Sequence, residues 1–125
     1  MELTKSEEQI MQILWKLEKA FVKEIIEYFD DPKPAYNTVS TIIRILEKKE
    51  FVSHNTFGKT HQYYPLIKKD EYKQKSLRKM IDGYFNNSYK SLVSFFSKEE
   101  DLSIEEMEEI KKMMEEKINK LKDKK

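Results

Sequence analysis

Apolar residues recur at helical spacing through most of this chain, and one central stretch breaks the rhythm. Ile10, Ile13, Leu14 and Leu17 form the first amphipathic stripe. Thr4-Lys5-Ser6-Glu7 ahead of it has the capping-box pattern, in which the threonine hydroxyl accepts from a backbone N–H and the glutamate reaches back. Lys19-Ala20 is the expected end of this helix. A second short stretch, Val22, Ile25, Ile26 and Phe29, must stop at Asp30-Asp31-Pro32-Lys33-Pro34. Proline lacks the N–H and disfavours helix in the residue before it. A third helix is expected from Tyr36 to Lys49, where Val39, Ile42, Ile43 and Leu46 follow the i, i+3, i+4, i+7 pattern. The opposite face carries Asn37, Thr41, Arg44 and Lys48, with Ser40 beside it.

From Phe51 the period changes. Phe51-Val52-Ser53-His54-Asn55 and Thr60-His61-Gln62-Tyr63-Tyr64 are rich in aromatic, β-branched and polar residues. They flank Thr56-Phe57-Gly58-Lys59, where glycine supplies the turn conformation. The expectation is a two-stranded hairpin with Lys59 at its tip, closed by Pro65. Beyond Lys69 the helical spacing returns with Tyr72, Leu77, Met80, Ile81, Tyr84 and Phe85. A break at Asn86-Asn87-Ser88 leads to Tyr89, Leu92, Val93 and Phe96. Ser103-x-x-Glu106 is a second capping box, and it opens a helix with Met107, Ile110, Met114, Ile118 and Leu121 on one side. These last helices are too short to close a core alone. They must fold back on the first part or pair with a second copy. Pairing is favoured, because the first part already reads as complete.

The composition narrows the class. Two glycines and three prolines leave few interruptions for helices, and fifteen aromatic residues argue against a disordered chain despite a mean hydropathy of -0.80. There is no cysteine, so disulfides and thiolate metal sites are excluded and a reducing cytoplasm fits. No apolar run approaches the ~20 residues that span a bilayer, and Met1-Glu2-Leu3-Thr4 has no signal-peptide character. The net charge of +1 conceals its placement. No acid occurs from Lys33 to Leu46 or from Phe51 to Lys69, whereas from Asp101 onward eight acids balance seven lysines. An anionic partner would therefore meet residues 33–69.

Three helices followed by a hairpin is the order of a winged helix-turn-helix, whose third helix is offered to the DNA major groove. The expected fold is mainly α with a small β-hairpin. A winged helix-turn-helix domain fills residues 1–68, and a helical dimerisation region fills 69–125. Enzymatic chemistry finds no support. His54 and His61 lack a nucleophile or further metal ligands, and no HExxH, GxGxxG or P-loop occurs. No cofactor and no metal site is expected. Trp15 should fill a seam between the first helix and the hairpin or the appended helices. Met80, Met107, Met113 and Met114 should fill a core or an interface.

Three stretches together resemble the penicillinase repressor family, which includes β-lactamase, methicillin-resistance and copper-transport repressors. They are Ser6 to Trp15, Ala35 to Lys49, and Tyr63-Tyr64-Pro65-Leu66-Ile67, and the resemblance covers nearly the whole chain. It implies a homodimer binding inverted-repeat operators with TACA/TGTA-type half-sites. In the antibiotic-responsive branch it also implies a membrane-anchored metallopeptidase sensor linked to repressor cleavage. The family's cleaved bond, usually Asn–Phe, falls here on Phe95–Phe96, so the first position departs from the pattern. The paired Cys-x-Cys motifs of the copper branch are absent.

The leading expectation is a cytoplasmic repressor that binds double-stranded DNA as a homodimer. Asn37, Thr38, Ser40, Thr41 and Arg44 would meet base edges or nearby phosphates, and Lys48, Lys59 and His61 would hold the backbone. Few arginines are available for guanine, so readout should lean on Asn and Thr hydrogen bonds and thymine-methyl contacts. Leu92, Val93, Met107, Ile110, Met114, Ile118 and Leu121 would face the second copy. Two alternatives stand: a winged-helix module that pairs with protein, and a ligand-responsive repressor that works without proteolysis.

Overall fold

The computed structural model describes residues 2–99 and 102–124. Its elements run α1 (Lys5–Leu17), β1 (Ala20–Phe21), α2 (Val22–Glu27), α3 (Tyr36–Lys48), β2 (Val52–Phe57), β3 (Thr60–Pro65), α4 (Lys69–Tyr84), α5 (Tyr89–Glu99) and α6 (Ile104–Asp123). The winged helix-turn-helix order is therefore present, followed by helices alone. The chain forms two compact units, the first ending at Ser76 and the second beginning at Leu77.

The capping box at Thr4 forms as read: Glu7 N donates to Thr4 Oγ1 and Thr4 N donates to Glu7 Oε1. α1 stops at Leu17, short of Lys19-Ala20, because Glu18 takes a positive φ of 71°. That turn creates a strand the periodicity did not predict. Ala20 and Phe21 pair antiparallel with Tyr63 and Gln62, so the sheet has three strands in the order β1-β3-β2 and is not a two-stranded hairpin. Two residues are too few to display a period of two, which is why the strand left no mark in the pattern. The hairpin itself is longer than expected. Thr56 pairs with His61 and Phe57 with Thr60, which shrinks the turn to Gly58-Lys59. Gly58 has φ +62, a conformation glycine adopts without steric cost. Pro65 is the last residue of β3, opposite Val52.

The core of the first unit gathers Ile10, Met11 and Leu14 from α1, Val22 and Ile25 from α2, Val39, Ile43 and Leu46 from α3, and Phe51, Val52 and Tyr63 from the sheet region. Each buried aliphatic side chain contributes about 1.5–3 kcal/mol relative to exposure. Trp15 seals one edge. Its indole N–H donates to the Ile67 carbonyl at 2.8 Å, and its ring lies 5.5 Å from that of Tyr72. Tyr72 also meets Phe51 edge-on, so the first turns of α4 belong to the first unit.

In the second unit, Asn86 and Asn87 both take positive φ and separate α4 from α5, as the Asn-Asn-Ser break suggested. Ser103 caps α6 through the expected box. Ile81 is buried, whereas no residue of α6 is.

Glu7 is the buried charged residue among the described residues of the first unit. Its Oε1 accepts from Lys49 Nζ at 2.8 Å and from Thr4 N at 2.8 Å. Burial alone would raise its pKa, but the Lys49 hydrogen bond and charge and the Thr4 bonds outweigh that, and the carboxyl titrates below its ordinary value. The folded pKa is thus lower than the unfolded one. The stabilisation is fully present above the unfolded value and is lost as pH falls through the folded one. Glu7→Gln should cost about 1–3 kcal/mol at pH 7. In urea titrations the gap between variant and wild type should close progressively on acidification below about pH 5.

Candidate nucleic-acid interface

α3 begins after Pro34-Ala35, with Ala35 in extended conformation, and its first turn holds no acid. Val39, Ile43 and Leu46 are buried and Ile42 is half-buried, so the apolar stripe seats the helix. Its outer side is set by that seat. Asn37, Thr38, Thr41, Arg44 and Lys48 are exposed, and Ser40 is half-buried. The helix closes with Glu50 at φ +66 and with Phe51 N donating to the Leu46 carbonyl at 3.0 Å. This left-handed cap turns the chain directly into β2.

Two local hydrogen bonds organise the exposed face. Thr41 Oγ1 donates to the Asn37 carbonyl at 2.8 Å, so its hydroxyl retains acceptor capacity. One Arg44 Nη donates to Ser40 Oγ at 3.1 Å, which uses one of five guanidinium N–H groups. Lys59 is exposed at the hairpin tip beside Gly58. His61 is exposed on β3, with Nδ1 3.3 Å from Thr56 Oγ1.

The strand register places Val52, His54, Thr56, His61, Tyr63 and Pro65 on one side of the sheet. His54 Nδ1 lies 2.6 Å from Glu47 Oε2, which ties this side to α3. The His54 and His61 rings are 4.1 Å apart, and His54 and Tyr63 are 5.5 Å apart. Burial raises the Tyr63 hydroxyl pKa above its ordinary value, and the nearby Glu47 charge adds to the shift. The structure therefore brings Asn37 to Thr41, Ser40 to Arg44, and His61 to a cluster that reaches α3 through His54. No hydrogen bond or ion pair joins Lys48 or Lys59 to this cluster among the described residues.

The sequence pattern passes over two residues here. Ile45 is 41% exposed and falls between Thr38 and Thr41 around the helix. Its aliphatic character hides it beside the stripe, although the helical wheel sets it apart. Glu47 stands out in sequence only as the first acid of α3, and its pairing with His54 needs the register of β2.

On α5, Leu92 is half-buried while Val93, Phe95 and Phe96 are exposed. The Phe95 ring lies 5.7 Å from that of Phe85. Along α6, Met107, Ile110, Met114, Ile118 and Leu121 are 42–54% exposed. Among the described residues no helix is long and apolar enough to cross a membrane, and no group of three or more potential ligands is placed to hold a metal.

A family model described as Penicillinase repressor matches residues 3–116. The chain is 32% identical over 114 residues to the Methicillin resistance regulatory protein MecI of Staphylococcus aureus strain N315, covering 90% of this chain and 93% of MecI. It is 28% identical over 114 residues to the Penicillinase repressor of Staphylococcus aureus, covering 90% of each. To the Penicillinase repressor of Bacillus licheniformis it is 24% identical over 123 residues, covering 98% and 96%.

The seat and the face of α3 should respond differently to truncation. Ile43→Ala should cost about 2–5 kcal/mol of unfolding free energy, because the buried methyls leave a cavity. Thr41→Ala should stay within about 0.5 kcal/mol of wild type, as exposed substitutions usually do. Urea midpoints of the two variants check the contrast.

Proposed function

Because the chain belongs to the penicillinase repressor family, whose members are transcriptional repressors, we propose that it is a homodimeric, operator-binding repressor of the β-lactam-resistance type. The observation that carries this reading is the outer face of α3. It is exposed, polar and basic, and it stands beside a hairpin with lysine at its tip. In a winged helix such a third helix enters the major groove. Asn37, Thr38, Ser40, Thr41 and Arg44 read base edges or meet adjacent phosphates. Thr41 and Ile45 offer methyl groups to thymine. Lys48, Lys59 and His61 hold the phosphate backbone. The protein works in the cytoplasm, where its DNA is.

The second unit makes the dimer. An α6 with a continuous apolar stripe and no buried residue requires a cover. A second copy supplies it, with Leu92 and Val93 of α5 at the edge. Two-fold symmetry then matches an inverted-repeat operator. Release follows from cutting α5 at Phe95–Phe96, prompted by a membrane-anchored metallopeptidase sensor. The cut parts the DNA reader from α6, so the two half-sites no longer act together. Engaging the second half-site intramolecularly is worth ~10²–10⁴ in affinity.

A second reading, a ligand-responsive repressor, draws on an open groove in the first unit lined by Trp15, Tyr28, Tyr64, Lys16 and Lys68. Operator release by a small molecule with the chain left intact would favour it over cleavage.

Gel shifts with the DNA upstream of the coding sequence and with random DNA test the reader. Arg44→Ala and Thr41→Ala should each weaken specific binding by about 1–3 kcal/mol and random binding by less. Lys59→Ala should weaken both alike and lower the salt slope by roughly one unit. If none of the three changes alters binding to either DNA, this face does not bind DNA, and a protein-pairing role for the winged helix takes its place.

Sedimentation tests the dimer. Ile110→Glu places a charge in the proposed interface and should give monomers that bind a full operator at least about a hundredfold more weakly. Chain cut between Phe95 and Phe96 should behave in the same way. A variant that sediments as a dimer would remove Ile110 from the interface.

A further inference from the structure

Between Lys33 and Lys69 the chain carries two carboxylates, Glu47 and Glu50, and Glu47 is the single acid of α3. Such a charge on a helix that meets phosphates has two costs. It repels the polyanion directly. It also sits three residues after Arg44, a spacing at which opposite charges pair along a helix. A free Glu47 would thus draw in the one arginine of the reading face.

In the structure the carboxylate is bonded elsewhere. Arg44 donates to Ser40 instead, and Glu47 Oε2 is bonded to His54 Nδ1 at 2.6 Å. An ionised carboxylate can only accept, so Nδ1 carries the proton and donates. His54 is itself held in place, its ring lying 4.1 Å from that of His61 and 5.5 Å from that of Tyr63. The side chains of His54 and Glu47 are 29% and 31% exposed, so the contact is partly withdrawn from water. The His54 ring lies against His61 and Tyr63 of β3, and Tyr63 is close enough to Glu47 to feel its charge. His54 is the residue hydrogen-bonded to the carboxylate.

We propose that His54 is a positioning residue for DNA binding: it fastens the Glu47 carboxylate to the sheet, screens it from phosphate and leaves Arg44 free for the groove. The inference rests on the DNA-binding reading above. It differs from a plain structural tie, because a tie would matter equally whether or not Glu47 carried charge.

A double-mutant cycle separates the two. His54→Phe keeps an aromatic ring against His61 and Tyr63 but cannot donate, and Glu47→Gln removes the charge while keeping the size. Wild type, each single variant and the double variant are titrated against a duplex from upstream of the coding sequence, with thermal unfolding confirming the fold. Should His54→Phe fail to fold, His54→Ala replaces it in the same cycle. His54→Phe is expected to weaken binding about three- to tenfold when Glu47 is present. In the Glu47→Gln background the same change is expected to weaken it less than about twofold. Equal loss in both backgrounds, or no loss in either, overturns the proposal. Tight binding by wild type that Arg44→Ala weakens, together with an additive cycle, overturns this inference and leaves the DNA-binding reading standing. Wild type that binds no duplex brings down both.

Discussion

The burial of one side of α3 is the constraint on which the rest of the first unit depends. Val39, Ile43 and Leu46 enter a core built by α1, α2 and the sheet, and this fixes the rotation of the helix about its axis. Once the rotation is fixed, the identity of the outward residues follows without further choice. A helix that rolled by one residue would expose a buried isoleucine and hide a polar side chain, each at a cost of about 1–3 kcal/mol. The orientation of the polar face is therefore set by the apolar residues beneath it.

Two polar ties act at the C-terminal end of the same helix. Lys49, just beyond α3, reaches Glu7 at the start of α1, and Glu47 reaches His54 on β2. One tie fixes the helix end to the first helix, and the other fixes it to the hairpin. The hairpin carries Lys59 and His61, so α3 and the wing are linked by more than the short turn at Lys49-Glu50. Glu7 is buried with its charge met by a lysine and a helix cap, whereas Glu47 lies nearer to water. The first tie belongs to stability, and the second, on the proposal above, bears on how much negative charge this surface would present to DNA.

The second unit follows a different logic. α6 is capped at Ser103 and carries a full apolar stripe, yet no residue of that stripe is buried. A helix of this kind gains most of its stability from the packing of its apolar face. The second copy proposed above would supply that packing. The bond proposed for cleavage, Phe95–Phe96, lies within α5.

The helices, the two capping boxes and the hairpin were legible in the amino-acid order. Each of these is written in local periodicity, in a proline or asparagine break, or in a capping pair three residues apart, and local signals survive without knowledge of the fold. The family was legible by resemblance, through three stretches in the right order. The polar face of α3 was legible too, because a helical wheel needs only the chain's own spacing. Folding was needed to settle whatever depends on residues distant in sequence. β1 exists because β3 offers it partners, and Glu18 turns the chain to reach them. Lys49 finds Glu7 across 42 residues, and Trp15 finds the Ile67 carbonyl across 52. Ile45 stands exposed beside Thr41, and Glu47 meets His54, only because packing sets the rotation of α3 and pairing sets the register of β2. Such contacts carry no periodic signature, since they arise from where the folded chain brings its parts together.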